Sequence, residues 1–275
     1  MSSLSAPQIR RRKRRDGAAP LVMVTAYDEP GARYVDAAGV DIILVGDSLA
    51  NVVLGQTDTL HVTVQEMAHH VRAVVAAKPK AHVVADLPWL SYHVDRADTL
   101  RNAATLIRAG AHSVKLEGGR VRLEMVHALL DAEIPVMGHL GLTPQSVLAM
   151  GGFKVQAKSI EAAKLLLEDA QALEDAGAFA LVIEGVPAEV GRRVTDAISI
   201  PTIGIGAGAD TDGQVLVFHD LLGLNARPAA KFVRQYADLG TAITDAVSQF
   251  AHDVRAGTFP TIDEQYPTPP ELLGQ

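Results

Sequence analysis

The chain has 275 residues, 48% apolar and 21% charged, enough core to fold alone, which excludes the disordered and fibrous classes. It contains no cysteine, so disulfides, thiolate metal sites and a Cys nucleophile are excluded as well. Charge is uneven: the formal net is −7, residues 10–15 hold six positive charges, and the remainder carries 19 basic against 32 acidic side chains.

That excess of acid on the body repels phosphate, so no nucleic-acid partner is expected. The basic run at 10–15 reads either as a solvated terminal face or as an electrostatic contact surface. No apolar run approaches the roughly 18 residues of a membrane span, and no hydrophobic stretch follows the N-terminal charges. The expectation is a cytoplasmic protein without a membrane partner.

Along the chain, short runs rich in Val, Ile and Leu alternate with stretches of helical spacing, the pattern of a parallel sheet built from βαβ units. Eight strands are predicted, near residues 21–25, 41–45, 82–85, 113–116, 135–138, 180–183, 201–205 and 214–218. Thr63-Val-Gln-Glu66 reads as a capping box opening a helix that runs through Val75, and Gly110 and Gly177 read as helix C-caps. His69-His70 lies in that first helix and is read as surface. Gly204-Ile-Gly206-Ala-Gly208 follows the seventh strand without dinucleotide-fingerprint spacing, and is read as a tight turn or a ligand contact. Eight alternations in about 250 residues predict a (β/α)8 barrel, with an open doubly wound sheet as the other possibility. The expected organisation is a basic segment over residues 1–17, a barrel over 18–260 and a tail over 261–275, with the prolines from Thr258 onward suggesting an extended strap.

A barrel places its chemistry just past the C-terminal ends of its strands. The first polar residues there are Tyr27-Asp28, Asp47-Ser48, Asp86, Lys115 with Glu117, His139 and Glu184. A single acid in such a place is ordinarily a helix cap or turn former. Several unlike groups converging on one mouth point instead to a ligand. Asp47 and Asp86 either offer oxygens to one hard divalent cation, joined by Glu117 directly or through water, or pair with Lys115. His139 is either a satisfied core group or a substrate contact.

Val24-Thr-Ala-Tyr-Asp28, Leu44-Val-Gly-Asp-Ser48, Val84-Ala-Asp-Leu-Pro88, Val114-Lys-Leu-Glu-Gly-Gly119, Gly138-His-Leu-Gly-Leu-Thr-Pro-Gln-Ser146, Gly151-Gly-Phe-Lys-Val-Gln156 and Asp212-Gly-Gln-Val-Leu-Val217, in that order, resemble the ketopantoate hydroxymethyltransferase family over roughly residues 18 to 260. The resemblance implies a (β/α)8 barrel of the phosphoenolpyruvate/pyruvate-binding type. It implies hydroxymethyl transfer from 5,10-methylenetetrahydrofolate to 3-methyl-2-oxobutanoate in pantothenate biosynthesis, one Mg²⁺ per subunit, and a homodecamer. By motif, Asp47 and Asp86 look like metal ligands with Glu117 beside them, and Asp47, Ser48, Asp86, Lys115 and His139 look like substrate contacts. Glu184 looks like the proton acceptor, and its neighbours Val182, Ile183 and Val186 predict apolar surroundings that raise its basicity. The alternative is a C–C lyase or mutase of the same barrel superfamily; its isocitrate-type members usually carry a Cys acid that this chain lacks.

Overall fold

Strands buried on both faces read as continuous apolar runs rather than alternating ones, and β2 (Ile42–Val45), Ile-Ile-Leu-Val, is buried at every position. With β1 (Leu21–Thr25), β3 (His82–Asp86), β4 (Ser113–Glu117), β5 (Val136–Gly141), β6 (Ala180–Glu184), β7 (Thr202–Ile205) and β8 (Gly213–Leu216) it forms a closed, all-parallel barrel in sequence order. The ring closes by β1 pairing β8, from Leu21 opposite Gly213 to Val24 opposite Leu216. The computed structural model describes residues 4–225 and 229–273; residues 1–3 of the expected N-terminal segment and 274–275 of the expected tail lie outside them. The chain divides into two compact units, one running to Phe218 with Ala230–Val233, the other made of the described residues within 219–229 and 234–275.

Helices pack on the barrel's outside through one apolar face each. Val64–Ala76 buries Val64, Met67, Ala68, Val71 and Val74, and its capping box is formed: Thr63 Oγ1 accepts from Glu66 N at 3.2 Å while Glu66 Oε2 accepts from Thr63 N at 2.7 Å. Gly177 ends the helix Ile160–Ala176 in the left-handed conformation, at φ 107°, which L side chains disfavour. The polar residue past β1 is a cap as well: Asp28 Oδ1 accepts from Gly31 N at 2.7 Å and opens the helix Glu29–Ala37.

A second apolar cluster fills the barrel's interior and joins Met23, Ile42, Val84, Met137 and Ile203 to Ile9, which is fully buried. The short helix Ala6–Arg10 therefore closes the end where the strands begin. Burying Ile9 contributes roughly 1.5–3 kcal/mol. The basic run is consequently not a purely solvated face, although Arg11, Arg14 and Arg15 stay exposed. Lys13 is 1% exposed and its Nζ reaches Asp212 Oδ2 at 2.8 Å and the Ile200 carbonyl at 3.1 Å. Arg10 donates to the Ala178 carbonyl, Arg14 to those of Ala209 and Thr211, and Arg15 to that of Asp196.

Two further expectations are corrected. No helix separates β7 from β8, so one of the eight alternations is a loop. That loop holds Gly206 and Gly208 at positive φ. A Cβ on Gly208 would stand 2.6 Å from Ala188 Cβ, so the glycine run is a tight turn packed against the helix Ala188–Ala197. The tail is not uniformly extended: it contains a 3-10 turn at Ile262–Glu264 and the short helix Pro270–Leu273. In the second unit, the helix Leu239–Ala256 exposes Leu239, Ile243, Val247, Phe250 and Val254 at 37–60%, a spacing that puts them on one stripe.

Candidate active site

At the open end of the barrel, the parallel register sets Asp86 opposite Lys115 and Glu117 opposite His139. Lys115 and Glu117 are two residues apart on β4 and so point to the same side. Lys115 Nζ lies 2.8 Å from Asp86 Oδ1 and 3.1 Å from His139 Nδ1. His139 Nδ1 is 3.4 Å from Glu117 Oε1, and its Nε2 is 3.2 Å from Glu184 Oε2. Asp47 N donates to Asp86 Oδ2 at 3.1 Å. Asp47, Asp86, Lys115, Glu117, His139 and Glu184 thus form one connected set, all buried except the half-buried Glu184. Ser48 follows Asp47 and is held by the Tyr27 hydroxyl at 2.8 Å.

Asp86 pairs with Lys115, and the set as a whole holds more carboxylates than cations. Burial, then the nearby Asp86 and Glu117, hold the Asp47 carboxyl well above the ordinary range. Burial also raises Asp86 in spite of Lys115. Burial works against Glu117 too, but His139, Lys115 and the Gln145 N–H keep it below its ordinary value. For Lys115, burial is outweighed by Asp86, Glu117 and Asp47, which hold it protonated. For His139, burial and Lys115 oppose the proton, yet Glu117 and Glu184 carry it up to about 9. The two carboxylates favour the charged form of His139, while Lys115, 3.1 Å from its Nδ1, opposes it.

An excess of buried carboxylate is what a divalent cation relieves. The donors here are hard oxygens, which suit Mg²⁺ rather than a soft metal. Among the described residues no three His, Asp or Glu side chains enclose a metal ion by themselves. An ion here would be held by the Asp47 and Asp86 carboxylates and completed by water and substrate oxygens, the usual habit of Mg²⁺.

Three sequence readings need amendment. The Glu184 carboxylate has a polar partner, His139 Nε2 at 3.2 Å, in addition to the buried neighbours Val182, Ile183 and Val186, which are 3%, 0% and 4% exposed. His70 is not surface, because its Nδ1 lies 2.6 Å from the Tyr27 carbonyl and it is half-buried, whereas His69 is exposed. Gln145, 5% exposed, binds Asp47 and Glu117, and Tyr92, 1% exposed, binds Gln145 and the Glu117 N–H; neither is expected from the sequence. Their one sequence signal is the position of Gln145 right after Thr143-Pro144, where the proline opens a 3-10 turn.

The family described as ketopantoate hydroxymethyltransferase matches this chain over residues 3–262. The chain is 56% identical over 249 residues to a 3-methyl-2-oxobutanoate hydroxymethyltransferase of Methylobacterium sp. (strain 4-46), covering 90% of this chain and 86% of the relative. A protein of the same description from Pyrobaculum islandicum is 55% identical over 244 residues, 89% of this chain and 93% of its own. Among solved structures, phosphoenolpyruvate phosphomutase from Streptomyces platensis subsp. rosaceus superposes with TM-score 0.60 at 19% identity, over 96% of this chain and 92% of the other. A 2,3-dimethylmalate lyase of the PEP mutase/isocitrate lyase superfamily gives 0.61 at 19%, over 98% and 94%. At that identity the structures speak for the barrel alone.

Proposed function

The chain belongs to the ketopantoate hydroxymethyltransferase family, and from that premise we propose that it adds a hydroxymethyl group to 3-methyl-2-oxobutanoate, giving 2-dehydropantoate for pantothenate and coenzyme A synthesis. The one-carbon donor is 5,10-methylenetetrahydrofolate. The observation that carries this reading is the division of labour at the barrel mouth. Buried Asp47, Asp86 and Lys115 stand on one side, and the half-buried Glu184, linked through His139, stands on the other.

Asp47 and Asp86 hold Mg²⁺, with Glu117 beside them. When bound, the ion supplies Lewis acidity to the 2-oxo acid. Lys115 neutralises negative charge that develops on the keto oxygen, and Ser48, oriented by Tyr27, donates a hydrogen bond to the substrate carboxylate. Glu184 accepts the proton from C3. His139, whose Nε2 lies 3.2 Å from the Glu184 carboxylate, holds it toward the substrate, and Glu117 faces the ring's other nitrogen. Water adds to the donor's methylene carbon as its two C–N bonds break, and the two protons of the water go to the folate nitrogens, so that tetrahydrofolate leaves. C3 bonds to the one-carbon unit so released, and the proton taken by Glu184 ends on its oxygen as the new hydroxyl. The lyase or mutase alternative has only the shared barrel in its favour, since the similar lyase and mutase are 19% identical.

The remaining readings extend the same proposal. The catalytic domain is residues 18–260, flanked by 1–17 and 261–275. The enzyme works in the cytoplasm; among the described residues no helix is long and apolar enough to cross a membrane. It assembles as a homodecamer, and the exposed stripe on the helix Leu239–Ala256 supports self-association. Light scattering that found only the 29.1 kDa chain at micromolar concentration would overturn the assembly. The activity is tested by following ketopantoate formation from 3-methyl-2-oxobutanoate and methylenetetrahydrofolate: turnover that stops with EDTA and returns with Mg²⁺ is expected, and no turnover under any of these conditions refutes the reading.

A further inference from the structure

One glutamine ties together the ends of β2, β3 and β4, the strands that deliver Asp47, Asp86 and Glu117. Gln145 lies in the 3-10 turn Pro144–Ser146 that follows β5. Its Nε2 donates to Asp47 Oδ2 at 2.8 Å and to the Leu87 carbonyl at 2.9 Å, which uses both amide hydrogens. Its Oε1 accepts from the Tyr92 hydroxyl at 2.6 Å, and its backbone N–H donates to Glu117 Oε2 at 3.0 Å.

The orientation of this amide is determined by its partners. The Tyr92 hydroxyl accepts from Glu117 N at 3.1 Å, and its single proton goes to Gln145 Oε1 rather than to the Glu117 carbonyl 3.4 Å away. Oxygen therefore faces Tyr92 and nitrogen faces Asp47. The chemistry of the donor matters as much as its position. A lysine or arginine in this place would neutralise Asp47; a neutral amide fixes the carboxylate while leaving its charge for a ligand.

We propose that Gln145, locked by Tyr92, is the positioning residue that turns the Asp47 carboxylate toward the divalent cation and keeps it in register with Glu117. The inference rests on the Mg²⁺ reading above. Partners that orient a metal ligand typically contribute about 10- to 100-fold in metal affinity.

The test is a calorimetric titration of the full-length protein with Mg²⁺ and separately with Ca²⁺, with thermal melts alongside, for wild type, Gln145→Met and Tyr92→Phe. Gln145→Met keeps the length of the side chain and removes its donors. It is expected to weaken Mg²⁺ binding about 10- to 100-fold, with Tyr92→Phe giving a smaller loss in the same direction. Because Mg²⁺ demands near-octahedral geometry and Ca²⁺ does not, Ca²⁺ affinity should fall less than Mg²⁺ affinity, which a general loosening of the fold would not produce. Wild type that binds no Mg²⁺ sinks the cation reading itself. Wild type that binds, with folded variants of equal Mg²⁺ affinity or with equal losses for both ions, overturns the role of Gln145. If Gln145→Met does not fold, Tyr92→Phe decides alone, and an unchanged Mg²⁺ affinity overturns the proposal.

Discussion

Each end of the barrel buries a lysine against an aspartate at 2.8 Å, Lys13 with Asp212 where the strands begin and Lys115 with Asp86 where they finish. The surroundings differ completely. Asp212 accepts from Lys13 Nζ, Thr202 N and Thr202 Oγ1 on Oδ2 and from Arg14 N on Oδ1, so that both oxygens are hydrogen-bonded. Asp86 receives Asp47 N on one oxygen and Lys115 on the other, and two more carboxylates crowd the same lysine. The histidines differ in the same way. The charged form of His139 at the mouth is favoured by Glu117 and Glu184, whereas His82 at the closed end is pushed down to about 4, chiefly by burial. A satisfied buried pair fastens the fold, and an over-charged one stores the capacity to bind; the residue types alone do not distinguish them.

The mouth should respond in chemistry rather than in stability. Glu184→Gln retains shape and hydrogen bonding but cannot take a proton, and general-base loss costs about 10² to 10⁴ in rate. Solvent exchange of the C3 proton of 3-methyl-2-oxobutanoate, followed by NMR in D₂O with Mg²⁺ and no folate, should slow by that factor while substrate still binds. Exchange at the wild-type rate would move the base elsewhere. Asp47→Asn and Asp86→Asn should each lower turnover by more than about 10²-fold, exceeding what partners of metal ligands contribute, and weaken Mg²⁺ binding in calorimetry. The melting temperature of Asp47→Asn should hardly fall, because the change relieves like-charge crowding by Asp86 and Glu117, whereas Asp86→Asn also takes from Lys115 its 2.8 Å partner and should cost some stability.

The closed end should respond the other way. Asp212→Asn leaves the buried Lys13 ammonium without its counter-charge, and breaking such a pair typically costs about 3–5 kcal/mol. Urea unfolding should show a loss of that order, with turnover per folded molecule kept. A variant as stable as wild type would remove the distinction between the two lysines.

Legibility in the sequence divides along the same line. The strand ends carrying Asp47, Asp86, Lys115, Glu117, His139 and Glu184 are legible, because a run such as Ile-Ile-Leu-Val stops at the first polar group and the barrel puts all such stops at one end. The fate of Lys13 is not, since its partner is 199 residues away and six consecutive cations look like a solvated arm. Gln145 is hidden for a related reason. A lone glutamine shows its value only through the four groups that meet it, and these come from the end of β2, the stretch after β3, and β4. The missing helix between β7 and β8 is equally hard to foresee, because glycines at positive φ mark a turn without fixing whether a helix or a strand comes after it.

The smallest expected effect tests the histidine half of the comparison. His82 Nδ1 meets the Leu4 carbonyl at 2.8 Å and its Nε2 meets Ser113 Oγ at 2.9 Å, with the His112 and Phe179 rings 5.2 and 5.7 Å away. The neutral ring satisfies both contacts, donating to the carbonyl and accepting from the hydroxyl. Its folded value of about 4 lies below the ordinary 6.5, so between those two pH values the unfolded chain binds the proton that the folded chain refuses. Stability contributed by neutral His82 is thus fully present above pH 6.5 and lost as pH falls toward 4. At 1.36 kcal/mol per unit the loss is about 3 kcal/mol. His112, also lowered by burial, adds to it in the same direction. Urea unfolding of wild type and His82→Gln at several pH values between 4 and 7 measures this directly. The variant should be less stable than wild type near neutrality, and its stability should fall less steeply with acid. Parallel curves would mean that His82 has the same pKa folded and unfolded, so that burial at the closed end does not set it apart.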